Sequence, residues 1–265
     1  MVWIDLLDKI FRIVSLGGIA AVVVAIVGHY LLFGPRHPEL AKDKRDLRRF
    51  SLWERVIHIV TLLSFLTLAV TGFAATIYFG KPLSGWLWIV HLAAAPVFAI
   101  GLAAIALRWA EDCCFESYDW EWAKRFGGYL GGDKDVPAGR FNGGQKAFLW
   151  TIILLGLVAI LSGLVRMFPV FDANIQEIFY QLHRYSSLFL VMTVIAHFYL
   201  GTLANPGTWL VIISGYVSSR WAKLHHPIWW KHISESSAGK KGNGKNSVEG
   251  TEAGLFGTGP GQSHK

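Results

Sequence analysis

Long apolar segments separated by short charged ones make up most of this chain. Four of them contain no Asp, Glu, Lys or Arg: residues 13–33, 56–79, 82–107 and 147–165. Each is close to or above the roughly 20 residues that a helix needs to cross a bilayer. A fifth segment runs from about residue 174 to residue 203, carries Glu177 and Arg184 in its first turns, and ends before Asn205-Pro206-Gly207. Because lipid admits only helices or closed barrels, and these segments do not alternate in polarity, we predict an all-α integral membrane protein, a transmembrane helix bundle of about five spans.

Composition and aromatic placement agree with a membrane location. Hydrophobic residues make up 53% of the chain and its mean hydropathy is +0.40, which is more apolar than a water-soluble domain of this size. Several aromatic residues lie near the predicted ends of the spans, where interfacial aromatics are common: Trp86, Trp88, Trp109, Trp150, Tyr180 and Trp209. Residues 208–217 are too short to cross a bilayer again, so we predict that they lie along its surface.

The basic residues alternate from loop to loop, and this alternation predicts the orientation of the chain. Three stretches are rich in them: residues 36–55, residues 108–146 and the tail from residue 220. The other two connections carry one each, Lys81 and Arg166. We therefore expect the amino terminus outside and the carboxyl terminus in the cytoplasm. The net charge of +7 then belongs to cytoplasmic loops beside membrane lipid, and no nucleic-acid partner is indicated.

The chain divides into three regions. Residues 1–48 form an extra amino-terminal transmembrane helix and a basic cytoplasmic loop. The apolar part of this helix is too long for a signal peptide, so we expect a retained anchor. Residues 49–233 form a four-helix core with an interfacial carboxyl-terminal segment. Residues 234–265 are rich in Gly, Ser, Lys, Asn and Glu, which predicts a disordered cytoplasmic tail.

Four histidines lie within or at the edge of the apolar segments: His58, His91, His183 and His197. Ionisable residues are costly at membrane depth and are generally functional there. A helix carries His183 and His197 on nearly one face, about 21 Å apart along its axis. The predicted topology places His91 at the depth of His183, in the outer half, and His58 at the depth of His197, on the inner side.

Each matched pair offers two neutral imidazole nitrogens, which can be the axial ligands of one haem iron. The pairs have no Cys or carboxylate partners, so they suit bis-histidine haem better than a closed zinc site. Because the sequence lacks Cys-x-x-Cys-His, the haem would not be covalently attached. Two stacked haems would provide a path for electrons across the membrane. The alternative is that these are core or interfacial histidines bonded to backbone carbonyls.

Two arginines are candidates for binding haem propionates. Arg55 lies one turn before His58, and Arg184 follows His183. The alternative is that both anchor helix ends by snorkelling.

The remaining histidines and the two cysteines carry no site prediction. His29 lies in the first span and has no obvious partner. The histidines of the Trp-rich tail segment are interpreted as interfacial surface residues: His225, His226 and His232. The adjacent Cys113 and Cys114 are expected to have no role.

Several segments are distinctive beyond their apolarity. They are Arg49-Phe50 leading to Glu54-Arg55 and His58, then Ile89-Val90-His91, Arg140-Phe-Asn-Gly-Gly-Gln-Lys146, the pair His183 and His197, and Val217-Ser-Ser-Arg-Trp-Ala-Lys-Leu-His-His-Pro227. With these segments, the region from about residue 49 to residue 233 resembles the gamma subunit, the cytochrome b subunit, of membrane-bound respiratory formate dehydrogenases. The histidine spacing alone would also fit the cytochrome b subunits of hydrogenases.

The resemblance implies a dihaem cytochrome b core in a bacterial inner membrane. Of the two haem b groups, one would be held by His58 with His197 on the inner side. The other would be held by His91 with His183 on the outer side. This assignment agrees with the pairing by depth.

The resemblance also implies a site for menaquinone or ubiquinone beside the inner haem. Asn142, Gly144 and Gln145 match the quinone-side loop of the family, and His197 would contact the quinone oxygen as well as the iron. Considered without the family, Asn-Gly-Gly equally favours a simple turn.

The implied partners are an iron–sulfur beta subunit on the outer face and a catalytic alpha subunit with molybdenum or tungsten. A higher oligomer of the complex is left open. The sequence itself has no iron–sulfur Cys array and no nucleotide-binding loop. We therefore expect that this chain does not oxidise formate and that its own chemistry is limited to electron transfer to quinone.

One feature departs from the family. Its members have four spans and begin near the first ligand-bearing helix, whereas this chain has an extra predicted helix before that one. Two other functions also stay open. The first alternative is the cytochrome b subunit of a hydrogenase or of a thiosulfate or polysulfide reductase. The second is a haem-free membrane scaffold or transporter. Transport generally needs intramembrane carboxylates or broken helices, and the charge-free segments lack the carboxylates.

Overall fold

Helices make up most of the computed structural model, which describes residues 2–80, 82–131, 136–168 and 170–236. The long helices are α1 (Val2–Phe33), α2 (Leu52–Phe73), α3 (Gly85–Trp109), α5 (Gly143–Met167) and α6 (Ala173–Gly201). α2 continues as a π-helical segment, Ala74–Phe79. The short elements are α4 (Ser117–Lys124), α7 (Leu210–Ser214), α8 (Ser219–His225), a helix over residues 227–236, and 3₁₀ turns at Pro38–Lys42 and Phe126–Gly128.

Within the described residues, four helical segments are long and apolar enough to cross a membrane: Asp5–Phe33, Leu52–Phe79, Gly85–Trp109 and Gly143–Met167. α6 has 29 residues and is less apolar because it carries Glu177, Arg184 and two histidines. Large apolar side chains cover the outside of the bundle, and Leu107, for example, is 89% exposed. A surface of this kind is suited to lipid. The chain is therefore an all-α multi-pass membrane protein of about five spans.

α2 and α3 form an antiparallel pair. Near the start of α2, Glu54 accepts a hydrogen bond from the indole of Trp109 at the end of α3. Near the other end of the pair, Thr71 contacts His91. Gly101 of α3 lies directly against Thr61, so the lack of a side chain at this glycine permits close packing of the two helices.

α5 and α6 form a second antiparallel pair, and α1 lies beside α6. Gln176 donates to the carbonyl oxygen of Val165 where α5 ends and α6 begins, and Phe148 stacks on His197 near the opposite ends. α1 runs parallel to α6, because early residues of the two helices are in contact and so are late ones. These contacts are Asp8 with Arg184 and His29 with Tyr199.

The short elements gather at one end of the bundle, which we call the loop-rich end. It contains the ends of α1, α3 and α6 and the starts of α2 and α5. Strands β1 (Leu47–Arg48) and β2 (Tyr216–Val217) pair there as a small antiparallel ribbon. This ribbon joins the segment before α2 to the segment after α7.

Local capping explains why the helices begin before the charge-free segments do. Ser51 and Glu54 form a capping box at the start of α2, and Asn142 and Gln145 form one at the start of α5. Asp172 caps α6 through the backbone amides of residues 174 and 175. Such caps satisfy amides that a helix start would otherwise leave unpaired.

The chain after α6 was predicted to be a segment too short to span, followed by a disordered tail. Residues 208–217 do not continue α6 as a span; they form turns, α7 and β2. Residues 234–236 continue the helix that starts at residue 227. The rest of the predicted disordered tail, residues 237–265, lies outside the described residues, as does Lys81.

Candidate functional site

The four candidate histidines come together as two pairs, as predicted from their depth. The rings of His91 and His183 have their centroids 6.2 Å apart, with planes inclined by 68°. The rings of His58 and His197 have their centroids 6.5 Å apart, inclined by 46°. α6 therefore supplies one ring to each pair, while α3 and α2 supply the others.

Hydrogen bonds fix the tautomer of both rings in the His91–His183 pair. Nδ1 of His183 donates to the carbonyl oxygen of Ala159 at 2.8 Å. Nδ1 of His91 lies 2.8 Å from the hydroxyl of Thr71, which itself donates to the carbonyl of Thr67 and so accepts from the ring. Since Nδ1 carries the proton in each ring, Nε2 has a free lone pair. This is the arrangement of a metal-binding imidazole with a second-shell acceptor.

Two glycines leave room for these rings. A Cβ atom on Gly163 of α5 would lie 3.3 Å from both Cε1 and Nδ1 of His183. A Cβ atom on Gly72 of α2 would lie 3.5 Å from Cε1 of His91. The two rings are therefore seated against backbone, where a larger residue would push them out of position.

The His58–His197 pair is held by packing. The ring of His197 stacks on Phe148 of α5, with centroids 3.9 Å apart and planes within 9°. Nδ1 of His58 is buried and has no hydrogen-bond partner among the described residues. A buried polar atom of this kind normally has a partner, so this pair has unused donor or acceptor capacity.

The spacing of both pairs fits one metal ion between two imidazoles. A metal about 2 Å from each facing nitrogen places the two ring centroids about 6 Å apart, close to the separations seen. Within the described ranges, no group of three or more His, Cys, Asp or Glu side chains could hold a metal. The donor sets therefore fit bis-histidine haem better than a closed zinc centre.

The two arginines predicted to bind propionates contact other parts of the chain. Arg55 donates to the carbonyl oxygen of Ile213 in α7, and its Nε is buried without a partner in the described part of the chain. Arg184 pairs with Asp8 of α1. Each therefore links two elements, and the propionate roles stay predictions.

The predicted quinone-side residues lie at the start of α5. Asn142 Oδ1 accepts from the amide of Gln145 at 2.9 Å, and Gln145 Oε1 accepts from the amide of Asn142 at 3.1 Å. A Cβ atom on Gly144 would lie 2.6 Å from the ring of Trp122. Phe148, which stacks on His197, is one turn further along α5, so the loop and the His58–His197 pair are neighbours. The side-chain oxygens of Asn142 and Gln145 are both used for capping. Their side-chain amide nitrogens have no hydrogen bond to another described residue.

Sequence analysis did not find an ionic cluster at the loop-rich end, in which Glu54 and Arg49 are buried. Glu54 accepts from Arg140 at 2.8 Å and Arg108 at 2.9 Å, and Arg140 also pairs with Asp112 at 2.5 Å. Arg49 lies beside them and donates to the carbonyl of Arg140 at 2.8 Å. Burial, together with the nearby charge of Arg140, lowers the pKa of Arg49 to about 9.

Arg49 is enclosed mainly by aromatic rings. Its guanidinium lies 4.9 Å from the centroid of Trp221 and 5.0 Å from that of Trp229. It also contacts Nε2 of His226 at 3.3 Å, and Nδ1 of His226 donates to the carbonyl of Gly139. The segments before α2, before α5 and after α7 are thus joined in one cluster. These are among the segments that carry the family resemblance.

One interpretation of the other histidines was wrong. His226 is only 1% exposed and is not a surface residue, because the tail segment folds back over Arg49. Burial and the charge of Arg49 lower the pKa of His226 well below its ordinary value. His29, for which no second ligand was predicted, hydrogen bonds elsewhere: Nδ1 lies 2.5 Å from the hydroxyl of Tyr199, and Nε2 lies 2.9 Å from the carbonyl of Tyr129. No local sequence pattern indicates these long-range contacts.

Cys113 and Cys114 are not joined in a disulfide. Cys113 is buried, and this burial raises the pKa of its thiol to about 12. A thiol of this kind is unreactive, whereas Cys114 is exposed.

Comparison with known proteins agrees with this site. The sequence model of the family described as prokaryotic cytochrome b561 matches residues 49–215, which is well over half of the chain. The cytochrome b556(fdo) subunit of formate dehydrogenase from Escherichia coli K12 is 25% identical over 215 residues, covering 75% of this chain and 99% of the relative. The nitrate-inducible cytochrome b556(Fdn) subunit from the same strain is 26% identical over 216 residues, covering 76% and 98%. The formate dehydrogenase cytochrome b556 subunit of Haemophilus influenzae is 26% identical, covering 73% and 85%.

The family match includes α2, α3, α5 and α6 and all four paired histidines, whereas α1 precedes it. Membership of a cytochrome b family implies haem b as the prosthetic group, and the ring spacing of the two histidine pairs fits a metal ion between the rings. This multi-pass helical membrane protein therefore belongs to the prokaryotic cytochrome b561 family.

Proposed function

We propose that this chain is the membrane-anchoring cytochrome b subunit of a formate dehydrogenase complex. In this role it conducts electrons from an iron–sulfur subunit at the outer face to menaquinone or ubiquinone near the cytoplasmic face. The observation that carries the proposal is the pairing of four histidines into two sites at different depths, with ring centroids 6.2 and 6.5 Å apart.

His91 with His183 would hold one haem b, and His58 with His197 would hold the other. A bound haem b supplies reversible one-electron transfer, and the protein sets its position and potential. Thr71 and Ala159 keep the protons of the first pair on Nδ1. Phe148 orients His197 by stacking.

The quinone site is proposed at the start of α5, beside His197. Quinone reduction needs protons as well as electrons, so a site near the cytoplasmic face could take protons from that side. Asn142 and Gln145 would each use the amide nitrogen toward a quinone carbonyl, since their oxygens cap the helix. Gly144 packs against Trp122 and would keep the first turn of α5 in place.

The orientation is part of the proposal. The loop-rich end, which carries the basic stretches, would face the cytoplasm, as basic loops generally do. The opposite end would then receive the iron–sulfur beta subunit, which in turn joins a molybdenum- or tungsten-containing alpha subunit. The named relatives are subunits of formate dehydrogenases, and this supports formate as the substrate of the complex.

Purification of the intact complex through a tag on this chain tests the assignment. We expect an iron–sulfur subunit and a large subunit with molybdenum or tungsten, together with formate-dependent reduction of the b haems. A nickel–iron large subunit would contradict the formate assignment and would favour a hydrogenase. The chain could instead purify alone with its haem, from native membranes and under conditions that keep other respiratory complexes intact. This result would contradict the subunit role.

A pair of variants tests the quinone role separately from helix capping. Asn142→Ser keeps a good amino-terminal cap for α5 but removes the amide nitrogen. If Asn142 binds quinone, this variant retains both haems and reduces quinone at least about tenfold more slowly, the effect of losing one hydrogen bond of about 1.4 kcal/mol. Asn142→Ala removes the cap as well and should also lower thermal stability. Unchanged quinone reduction in the serine variant would limit Asn142 to capping.

A further inference from the structure

Arg184 is a buried cation whose counter-charge is a carboxylate of α1, the helix that precedes the residues matched by the family model. Its side chain is 4% exposed, and it pairs with Asp8 of α1, whose side chain is 45% exposed. The guanidinium also lies 4.0 Å from the ring centroid of Phe11 and 4.7 Å from that of Tyr180. Two elements thus enclose this cation: α1 through Asp8 and Phe11, and α6 itself through Tyr180.

Further donors of Arg184 are unused. Nε and Nη2 are buried and have no hydrogen-bond partner within the described ranges. A buried charge is costly unless it is paired, and Asp8 is the only carboxylate seen in contact with Arg184 in the described part of the chain. Removing the charge of Asp8 would therefore leave an uncompensated cation inside the bundle.

Arg184 is adjacent in sequence to His183, one ring of the outer pair. The two side chains point in different directions from α6: His183 contacts Ala159 and Gly163 of α5, whereas Arg184 contacts α1. The two residues are nevertheless neighbours in the same turn of α6. In a low-dielectric environment, a charge carried by the neighbouring residue affects the potential of a redox group bound at His183.

We propose that α1 is a redox-tuning helix, in which Asp8 is a positioning residue that holds and neutralises Arg184 beside the His91–His183 site. The proposal rests on the proposed function, because it assumes a haem b at that pair. It gives α1 a role beyond anchoring: the carboxylate keeps the potential of the outer site lower than the arginine alone would set it.

The sign of the effect follows from charge. Reduction of a haem adds one electron, so a nearby uncompensated positive charge favours the reduced form and raises the midpoint potential. Asp8→Asn keeps a side-chain oxygen that can accept from Arg184 but removes the negative charge. We expect the midpoint potential of the outer haem to rise in this variant, while that of the inner haem stays unchanged.

Three further variants separate tuning from loss of structure. Arg184→Gln should shift the outer potential in the opposite direction, downward. The double variant Asp8→Asn with Arg184→Gln should return it close to the wild-type value. Asp5→Asn, which changes an exposed carboxylate of the same helix, should leave both potentials unchanged. The measurement is a spectroelectrochemical titration of the purified full-length chain with its haems.

A second readout does not depend on haem. A Cβ atom on Gly18 of α1 would lie 3.2 Å from Sδ of Met192 in α6, so cysteines introduced at positions 18 and 192 should crosslink when α1 is docked. We expect similar crosslinking with Asp8 or Asn at position 8. Loss of crosslinking in Asp8→Asn would mean that the carboxylate serves docking, which would overturn a tuning role.

The outcomes also distinguish this proposal from the proposed function. If the chain binds two haems and both potentials are the same in Asp8→Asn as in the wild type, the tuning role of α1 is overturned and the proposed function is unaffected. If Asp8→Asn and Arg184→Gln shift the outer potential in the same direction, the charge explanation is also overturned. A chain that binds no haem at His91 and His183 would overturn the proposed function itself.

Discussion

The four paired histidines differ in how their rings are held. His183 and His91 are fixed by hydrogen bonds from Nδ1 to Ala159 and Thr71. His197 is fixed by stacking on Phe148. Hydrogen bonding at Nδ1 raises the basicity of Nε2, so the two sites are not electronically equivalent. In the proposed function, a difference of this kind would allow the two potentials to differ, which favours electron transfer in one direction.

Replacement of Thr71 tests this second-shell role. Thr71→Val keeps the shape of the side chain but removes the acceptor from His91. Outer-shell partners commonly change metal affinity by about 10- to 100-fold, so we expect the outer haem to transfer to excess apomyoglobin at least tenfold faster. Thr67→Val is the matched control, because the Thr67 hydroxyl donates to Leu63 one turn earlier and touches neither histidine pair. Equal transfer rates in the two variants would contradict the role of Thr71.

His226 predicts a dependence of stability on pH. Burial and the charge of Arg49 lower its pKa in the folded state, whereas in the unfolded chain it has the ordinary value of about 6.5. Below that pH the unfolded chain binds a proton that the folded chain does not, so stability should fall as the pH falls from about 6.5.

His226→Gln keeps a donor and an acceptor but cannot titrate in this range. Thermal unfolding of the detergent-solubilised protein should therefore depend less on pH between 6.5 and 5 in this variant than in the wild type. His232→Gln, at an exposed position, should behave like the wild type. A wild-type pH dependence that survives in His226→Gln would assign the effect to other groups.

At the scale of helices, the hydropathy pattern was sufficient to predict the spans. The charge-free segments 56–79 and 147–165 correspond to α2 with its π-helical continuation and to α5. The first turns of both helices were outside those segments, because charged or polar residues cap them: Ser51 with Glu54, and Asn142 with Gln145. Capping depends on side-chain geometry at one position, which an average over 20 residues does not report.

Packing between helices was less predictable. The pairing of His58 with His197 and of His91 with His183 followed from depth, since antiparallel spans of known order must bring residues of equal depth to the same level. The contact of Arg184 with Asp8 and the burial of His226 by Arg49 did not follow. Both depend on where α1 and the tail segment dock, and neither position is encoded in local periodicity.

Gly163 shows how a helix surface shapes the His91–His183 pair. A Cβ atom there would be 3.3 Å from the His183 ring, and a longer side chain would need the space that the ring fills. We expect Gly163→Leu to lose the outer haem while retaining the inner one. Gly17→Leu is the control, because no atom lies within 4 Å of a Cβ at that exposed position of α1. Difference spectra with both haems present in Gly163→Leu would contradict this view of the packing.

For the whole molecule, the central feature is one helix shared by two histidine pairs. α6 supplies His183 to one pair and His197 to the other, and the partners come from α3 and α2. The ionic cluster around Glu54 and Arg49 links segments of the loop-rich end, next to the proposed quinone site. In the proposed function, such links would help to keep the distance between the two histidine pairs constant.

The most direct test of this account is the number of haems per chain in the wild type and in single-histidine variants. Pyridine haemochrome assays on purified, quantified protein should give two haem b per wild-type chain. His58→Ala and His91→Ala should each give one, with different remaining α-band positions and midpoint potentials. A wild-type chain that holds a single haem after expression with ample haem supply, or one that holds none, would contradict the account.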